Sequence, residues 1–162
     1  MRLLSPLLLL PIAIALLGGC SSLRAPGLDQ PPAMDAPVIL VSIDGMRNDY
    51  TERGLTPTLK ALEARGTRAG FLRPSYPSIT FPNHYTLVTG RRPDEHGVIA
   101  NFMRDPAIPG VRFSMFDRNT VGDERWWNDG KPLWTSVREA GGRAAAMFWV
   151  GSEAPVHGAH PE

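Results

Sequence analysis

Short apolar runs alternate with helical segments along the chain and predict the elements of an α/β fold. Residues 38–43 are almost continuously apolar, are rich in β-branched side chains and are interrupted only by Ser42. Such a run is typical of a strand buried on both faces of a parallel sheet. Residues 68–72 and 144–150 are predicted as further strands. Strands separated by helices indicate an α/β sheet.

Start and stop residues predict the helices between these strands. Thr56 and Pro57 form an N-cap followed by proline at the first helical position, and Gly66 is the stop. The remaining predictions are helices over residues 83–89 and 132–139, loops over residues 74–82 and 91–97, and hairpins or irregular structure over residues 106–129. About three strand candidates are few beside the five or six of an average sheet, so the fold is predicted to be incomplete in this chain.

The first 36 residues are predicted to lie outside the folded domain. Arg2 and the apolar residues 3–17 have the pattern of a signal peptide over residues 1–19, and the sequence around Cys20 resembles a bacterial lipoprotein box. A plain secretory leader that ends near a cysteine is the alternative. The Pro- and Ser-containing residues 20–36 are predicted to be a flexible tether, which leaves residues 37–162 for the domain. The sequence thus predicts an exported, membrane-anchored protein of the bacterial periplasm or cell envelope.

Charge and cysteine content exclude two features, a strong electrostatic attraction to nucleic acid and a disulfide within the chain. Seventeen Lys and Arg residues stand against 16 Asp and Glu residues, so no strong field favours nucleic acid, and no nucleic-acid partner is expected. Any affinity for phosphate must therefore come from a local site, through bound metals or hydrogen-bond donors directed at the phosphate. Cys20 is the single cysteine, which excludes a disulfide within the chain.

Asp44 and Thr80 are the candidate chemical groups. Asp44 follows the first predicted strand, at the sheet edge where α/β folds bind ligands, but it could equally form a turn with Gly45. Thr80 precedes a predicted helix, where its hydroxyl could cap the helix or attack a phosphate drawn by the helix N-terminus. A threonine hydroxyl needs a base or a metal to become a nucleophile. The residues alone leave both alternatives open.

Three motifs in a fixed order resemble the nucleotide pyrophosphatase/phosphodiesterases of the alkaline phosphatase superfamily. The motifs are VSIDGMR at residues 41–47, PSYPSITFPNHYTLVTG at residues 74–90 and HGVIAN at residues 96–101. The resemblance covers roughly residues 38–150. It implies an alkaline phosphatase-like α/β fold with two zinc ions.

The resemblance also implies roles for individual residues. Asp44 matches a zinc ligand, and Thr80 matches the nucleophile, whose oxygen zinc also binds. Asn101 matches the side chain that donates a hydrogen bond to a phosphoryl oxygen, although an Asn in a turn is the alternative. Phe81 matches the aromatic that packs against a nucleoside base. A small phosphodiester or nucleotide is the implied substrate.

Other notable residues are interpreted as structural. His84 and His96 are expected to form structural hydrogen bonds. His157 and His160 have the spacing of a helical metal site, but the flanking prolines argue against a helix. Trp126 and Trp127 are expected in the core or an interface rather than in a substrate wall.

One departure from the family pattern limits the expected activity. The family's remaining zinc ligands, an Asp with a His a few residues later, an Asp-His pair and a final His, have no match after Asn101. A catalytic zinc needs about three protein ligands. We therefore expect this chain to be inactive alone and its full-length parent to be the hydrolase. A different hydrolase of the superfamily, acting on phosphonates or phosphomonoesters, and a non-catalytic tethered surface protein are the alternatives.

Overall fold

The computed structural model describes residues 36–162, of which Val41–Glu162 form one compact unit. The predicted signal peptide, Cys20 and nearly all of the predicted tether lie outside the described residues. Short helices predominate. In chain order the elements are α1 Pro57–Arg65, α2 Thr80–Thr89, α3 Pro93–His96, β1 Phe102–Met103, β2 Phe113–Ser114, α4 Arg118–Val121 and α5 Leu133–Glu139, with 3₁₀ turns at Tyr50–Arg53, Glu124–Trp126 and Val156–Gly158. No helix in this part of the chain is long and apolar enough to cross a bilayer.

The helices predicted from capping residues are confirmed, with shifted bounds. Helix α1 begins at Pro57 and ends before Gly66, and α5 begins directly after Pro132. Helix α2 begins at Thr80, three residues earlier than predicted. Pro82 is compatible with this start because the first-turn amides have no acceptor within a helix. Gly90 ends α2 with a φ of 66° and donates its N–H to the Thr86 carbonyl.

The three predicted strands are wrong for the described residues. Residues 38–43, 68–72 and 144–150 contain no strand, and the loop predicted over residues 91–97 contains α3. A strand requires a neighbouring backbone for a ladder of hydrogen bonds, and these segments form no such ladder within residues 36–162, where a single backbone bond joins the Glu162 N–H to the Ala144 carbonyl. The side chains of residues 38–43 are correspondingly exposed, as Val38 at 76% and Val41 at 72% show, whereas part of the segment 144–150, including Trp149, packs against the core.

The sheet of the described residues is a two-stranded hairpin. Its second strand lies within residues 106–129, which were predicted as hairpins or irregular structure, and its first strand precedes them. Strands β1 and β2 pair antiparallel, with Met103 opposite Phe113. These two side chains face the core and are buried. The hairpin starts directly after Asn101, so its register fixes where that residue lies.

An aromatic core joins α2 to the hairpin and to the segment after α4. Trp127 is fully buried and lies with its ring centroid 5.1 Å from Tyr85 and 5.7 Å from Phe113. The Tyr85 hydroxyl donates to the carbonyls of Trp127 and Gly130, at 2.6 and 3.2 Å. Burial raises the pKa of Tyr85 well above its ordinary value. Trp126 is also buried, so the core interpretation of the tryptophan pair is confirmed.

His96 is a buried structural residue, as predicted. Its Nδ1 accepts the N–H of Val98 at 3.2 Å, so the Nε2 of the neutral ring donates to the Thr86 hydroxyl at 3.1 Å. The ring packs edge-on against Tyr85. Burial lowers the pKa of His96 below its ordinary value of 6.5.

We expect this buried imidazole to make the chain less stable in mild acid. The unfolded chain takes up the proton near pH 6.5, whereas the folded chain resists it, so the free energy of unfolding falls as pH drops below that value. The slope is at most about 1.4 kcal/mol per pH unit for one group. Urea unfolding between about pH 7.5 and 5.5 measures it. His96→Asn should flatten the slope and His160→Asn, at an exposed site, should not; equal slopes in all three proteins would contradict this explanation.

Candidate active site

The amino end of α2 carries Thr80 as its first helical residue, on a turn shaped by Asn83. The Asn83 Oδ1 accepts the Ser75 N–H at 2.7 Å, and its Nδ2 donates to the carbonyls of Pro77 and Ile79, both at 2.9 Å. One amide therefore satisfies both ends of the turn before the helix. Ile79 is the N-cap residue, so the cap interpretation of the Thr80 hydroxyl is wrong.

Thr80 and Asp44 meet although 36 residues separate them in the chain. The Thr80 Oγ1 donates to the Asp44 Oδ2 at 3.0 Å. The structure thus brings together the two side chains that the sequence singled out as metal ligand and nucleophile. Both side chains carry oxygen atoms of the kind that can serve as ligands of a divalent cation.

Asn101 is held so that its amide nitrogen remains available. Its Oδ1 accepts the N–H of Phe81 at 2.9 Å, and its backbone carbonyl accepts the N–H of Met115 at 3.0 Å. Since the oxygen is used, the Nδ2 is the side of the amide left to donate, and it has no protein acceptor among the described residues. The geometry places a hydrogen-bond donor beside the first turn of α2.

The start of α2 offers fewer amide donors than a generic helix. Pro82 has no N–H, the Phe81 N–H is taken by Asn101, and the Asn83 N–H donates to Ile79. Only the Thr80 N–H of this first turn has no acceptor within the described part of the chain. The Asn101 Nδ2 and the Thr80 N–H are therefore the donors left for an anion at this end of the helix.

Phe81 lies against the core. Its ring is half-buried, with centroids 5.9 Å from Phe113 and 6.1 Å from Trp127. The exposed part of the ring is what remains for a ligand. Contact with a nucleoside base stays a prediction.

His84 forms the structural hydrogen bonds that were predicted for it. Its Nδ1 lies 2.8 Å from the Thr80 carbonyl and its Nε2 lies 2.9 Å from the Ser42 hydroxyl. A carbonyl can only accept, so Nδ1 carries a proton. Ser42 was not recognised as a site residue, although its position as the one polar residue in the run 38–43 was the signal.

The remaining histidines do not form a metal site. The His157 ring bonds to the Gly130 carbonyl at 3.0 Å, and the His160 carbonyl accepts from Arg138. Residues 36–162 contain no group of three or more His, Cys, Asp or Glu side chains placed to hold a metal ion. Asp44 and Thr80 fit zinc as oxygen donors, but two donors are fewer than the three or so that a catalytic zinc takes.

Comparison with known proteins gives the family. Residues 38–162 match the family model described as type I phosphodiesterase / nucleotide pyrophosphatase. The chain belongs to this family. Its predicted membership, read from the motifs around Asp44, Thr80 and Asn101, is confirmed.

Several members of the type I phosphodiesterase family are similar in sequence. An uncharacterized pyrophosphatase/phosphodiesterase of Schizosaccharomyces pombe is 45% identical over 76% of this chain and 25% of its own length. The venom phosphodiesterase of Macrovipera lebetinus is 41% identical over 78% and 15%, and human ectonucleotide pyrophosphatase/phosphodiesterase family member 1 is 36% identical over 88% and 15%. The chain therefore spans a quarter or less of the length of these relatives.

Solved structures confirm the predicted fold class. Murine ectonucleotide pyrophosphatase/phosphodiesterase 5, in an inactive threonine-to-alanine variant in complex with AMP, matches with a TM-score of 0.68 and 32% identity over 74% of this chain and 32% of the murine chain. The human protein of the same name matches equally well, at 33% identity. The described residues form part of an alkaline phosphatase-like α/β fold.

Proposed function

We propose that the protein to which this chain belongs hydrolyses phosphodiester and pyrophosphate bonds of nucleotides, with Thr80 as nucleophile and zinc as cofactor. The observation that carries the proposal is the 3.0 Å contact between the Thr80 hydroxyl and the Asp44 carboxylate at the start of a ten-residue helix. Neither residue alone would indicate nucleophilic chemistry. Their contact supports a nucleophilic role, because a carboxylate beside a hydroxyl, together with a bound cation, would help that hydroxyl lose its proton.

The proposed reaction proceeds in two steps. The Thr80 Oγ1 attacks phosphorus, its bond to phosphorus forms, and the bond from phosphorus to the leaving oxygen breaks. The product is a phosphothreonine that still carries the nucleoside, and water then hydrolyses it. The Asn101 Nδ2 and the Thr80 N–H are the donors available for the charge that grows on the non-bridging oxygens.

Zinc would be held by Asp44 and Thr80 together with ligands that the described residues do not supply. When bound, it lowers the pKa of a coordinated hydroxyl and stabilises negative charge on the phosphoryl group. Asp44 then has two roles, since the carboxylate that accepts a hydrogen bond from the Thr80 hydroxyl in the free chain would also be a cation ligand. We expect the 162-residue chain alone to show no turnover.

Nucleotides are the substrate class best supported. AMP is bound in the murine relative of known structure, and three relatives are named as nucleotide pyrophosphatases or phosphodiesterases. The exposed part of Phe81 lies one residue from the nucleophile, within reach of a base.

A chimera tests the proposed function. Residues 38–162 would replace the matching segment of the Macrovipera lebetinus venom phosphodiesterase, which supplies the rest of a catalytic domain. We expect zinc-dependent release of nitrophenol from a nitrophenyl nucleotide ester, lost with a chelator and restored by zinc. The unmodified venom enzyme is the positive control. A folded, zinc-loaded chimera without turnover would refute the proposal.

Removing the Asn101 amide should slow the chemical step more than it weakens substrate binding. Asn101→Ala in the chimera is expected to lower kcat by about 10²- to 10³-fold, the usual effect of losing one donor to a developing oxyanion. KM should change much less. Asn119→Ala, at an exposed asparagine in α4, is the matched control and should keep full activity. A change in KM alone would show that Asn101 binds the ground state instead.

We also propose export and lipid anchoring. The names of the relatives include ectonucleotide and venom enzymes, which supports an exported protein. The pattern up to residue 19 and Cys20 supports a bacterial lipoprotein held in the cell envelope through its lipid. Cys20→Ala should abolish incorporation of labelled fatty acid in a bacterial host, whereas labelling that persists would refute the anchor.

A further inference from the structure

Two hydrogen bonds connect the segment that carries Asp44 to the helix that carries Thr80. One is the bond from the Thr80 Oγ1 to the Asp44 Oδ2, at 3.0 Å. The other joins the His84 Nε2 and the Ser42 Oγ, at 2.9 Å. Both lie within the same compact unit, and both join side chains far apart in sequence.

The spacing of the four residues matches across the two segments. Thr80 and His84 are one helical turn apart, which separates them by about 6 Å on one face of α2. Ser42 and Asp44 are two residues apart, a separation of at most about 6.6 Å, and Asp44 begins a turn. Since both spacings are short, the two bonds join the segments at neighbouring points. The pair of bonds therefore acts as a two-rung ladder.

The His84 ring is fixed from three sides. Its Nδ1–H donates to the Thr80 carbonyl at 2.8 Å, which ties the ring to the backbone of the nucleophile itself. The Trp149 ring lies edge-on, with its centroid 5.8 Å from that of His84, and its indole N–H donates to the His84 carbonyl at 3.1 Å. In the neutral ring Nε2 then accepts from Ser42. A half-buried histidine with all its polar atoms engaged is a rigid support.

We propose that His84 and Ser42 are positioning residues that hold the Asp44 carboxylate against the Thr80 hydroxyl before cation or substrate binds. The inference rests on the proposed function, in which Thr80 attacks phosphorus. Asp44 lies at a turn and is surrounded by exposed residues, so little else within the described part of the chain restrains it. The hydrogen bond between Ser42 and His84 restrains the segment that carries Asp44, one helical turn away from the Thr80 hydroxyl.

The test uses the full 162-residue chain and needs no catalytic activity. Three-bond couplings from the backbone ¹⁵N and carbonyl ¹³C nuclei to the Thr80 Cγ2 report whether its χ1 angle occupies one rotamer. We expect a single rotamer in the native chain and averaged couplings in Ser42→Ala. Ser42→Thr, which keeps the hydroxyl, should restore the single rotamer. Ser152→Ala, at a half-buried serine without a side-chain hydrogen bond among the described residues, should leave the couplings unchanged.

Each outcome decides the inference. Averaging in Ser42→Ala with recovery in Ser42→Thr supports a positioning role, because a merely structural serine would not need its hydroxyl. Couplings that stay unaveraged in Ser42→Ala overturn it. The proposed function is tested separately by turnover of the chimera. An inactive chimera, together with averaged couplings in Ser42→Ala and recovery in Ser42→Thr, would refute the proposed hydrolysis and leave the positioning role of Ser42 and His84 supported.

Discussion

Thr80→Ala in the chimera is expected to lower phosphodiesterase turnover by at least about a thousandfold. The variant removes the attacking oxygen, and neither the Asn101 donor nor the helix can replace a nucleophile. Steady-state release of nitrophenol measures the loss. The variant should fold normally, because the hydroxyl is only half-buried and its single side-chain bond is to an exposed carboxylate.

Thr80→Ser is the matched control for this change. It keeps an oxygen at the same position and loses only a methyl group, so measurable zinc-dependent turnover should remain. Equal thermal melting of the three proteins would show that the loss is chemical. An alanine variant with more than a tenth of the native activity would exclude Thr80 as the nucleophile.

Trp127→Ala is expected to have the largest effect on stability. The indole is fully buried among Tyr85, Phe113 and Phe81, and its N–H donates to the Val121 carbonyl at 2.9 Å. Truncating a buried tryptophan costs about 3–5 kcal/mol. Urea unfolding of the 162-residue chain, followed by far-ultraviolet circular dichroism, measures the difference.

An exposed aromatic provides the control for the core variant. Phe148 is 92% exposed, so Phe148→Ala should change the free energy of unfolding by less than about 0.5 kcal/mol. Equal losses in the two variants would mean that the aromatic cluster around Trp127 does not form the core.

The helices could be predicted because their end signals are local. Proline at the first position of α1 and glycine after α1 and α2 act on their own backbone, whatever surrounds them. The early start of α2 was missed because proline in a first turn resembles proline in a loop. These end signals were therefore sufficient to predict that the helices exist, but they did not give the correct first residue of α2.

The strands could not be predicted reliably because a strand depends on a partner. Residues 38–43 have the composition of a buried strand, yet burial and pairing come from other segments, and the described residues supply neither. The hairpin of β1 and β2 has both partners within about ten residues of each other. Its weak apolar pattern predicted hairpins or irregular structure over residues 106–129, but it did not indicate the first strand, which lies before that range.

The candidate site was predictable in its residues and not in its contacts. The family motifs indicated Asp44, Thr80 and Asn101, but they gave no distances. That the Phe81 N–H orients the Asn101 amide, and that Asn83 shapes the turn before Thr80, follows only from the folded backbone. Ser42, the single polar residue in the apolar run 38–43, is the sequence signal for its hydrogen bond to His84.

The most direct test of the central claim is the identification of the phosphorylated residue. The chimera would be mixed with a nucleotide ester, quenched with acid during turnover, digested and examined by mass spectrometry. We predict that the peptide of residues 74–90 carries a nucleotide joined through its phosphate to the Thr80 oxygen. The same peptide from Thr80→Ala should carry no nucleotide. A covalent phosphate on any other residue, or none during turnover, would contradict the assignment of Thr80 as nucleophile.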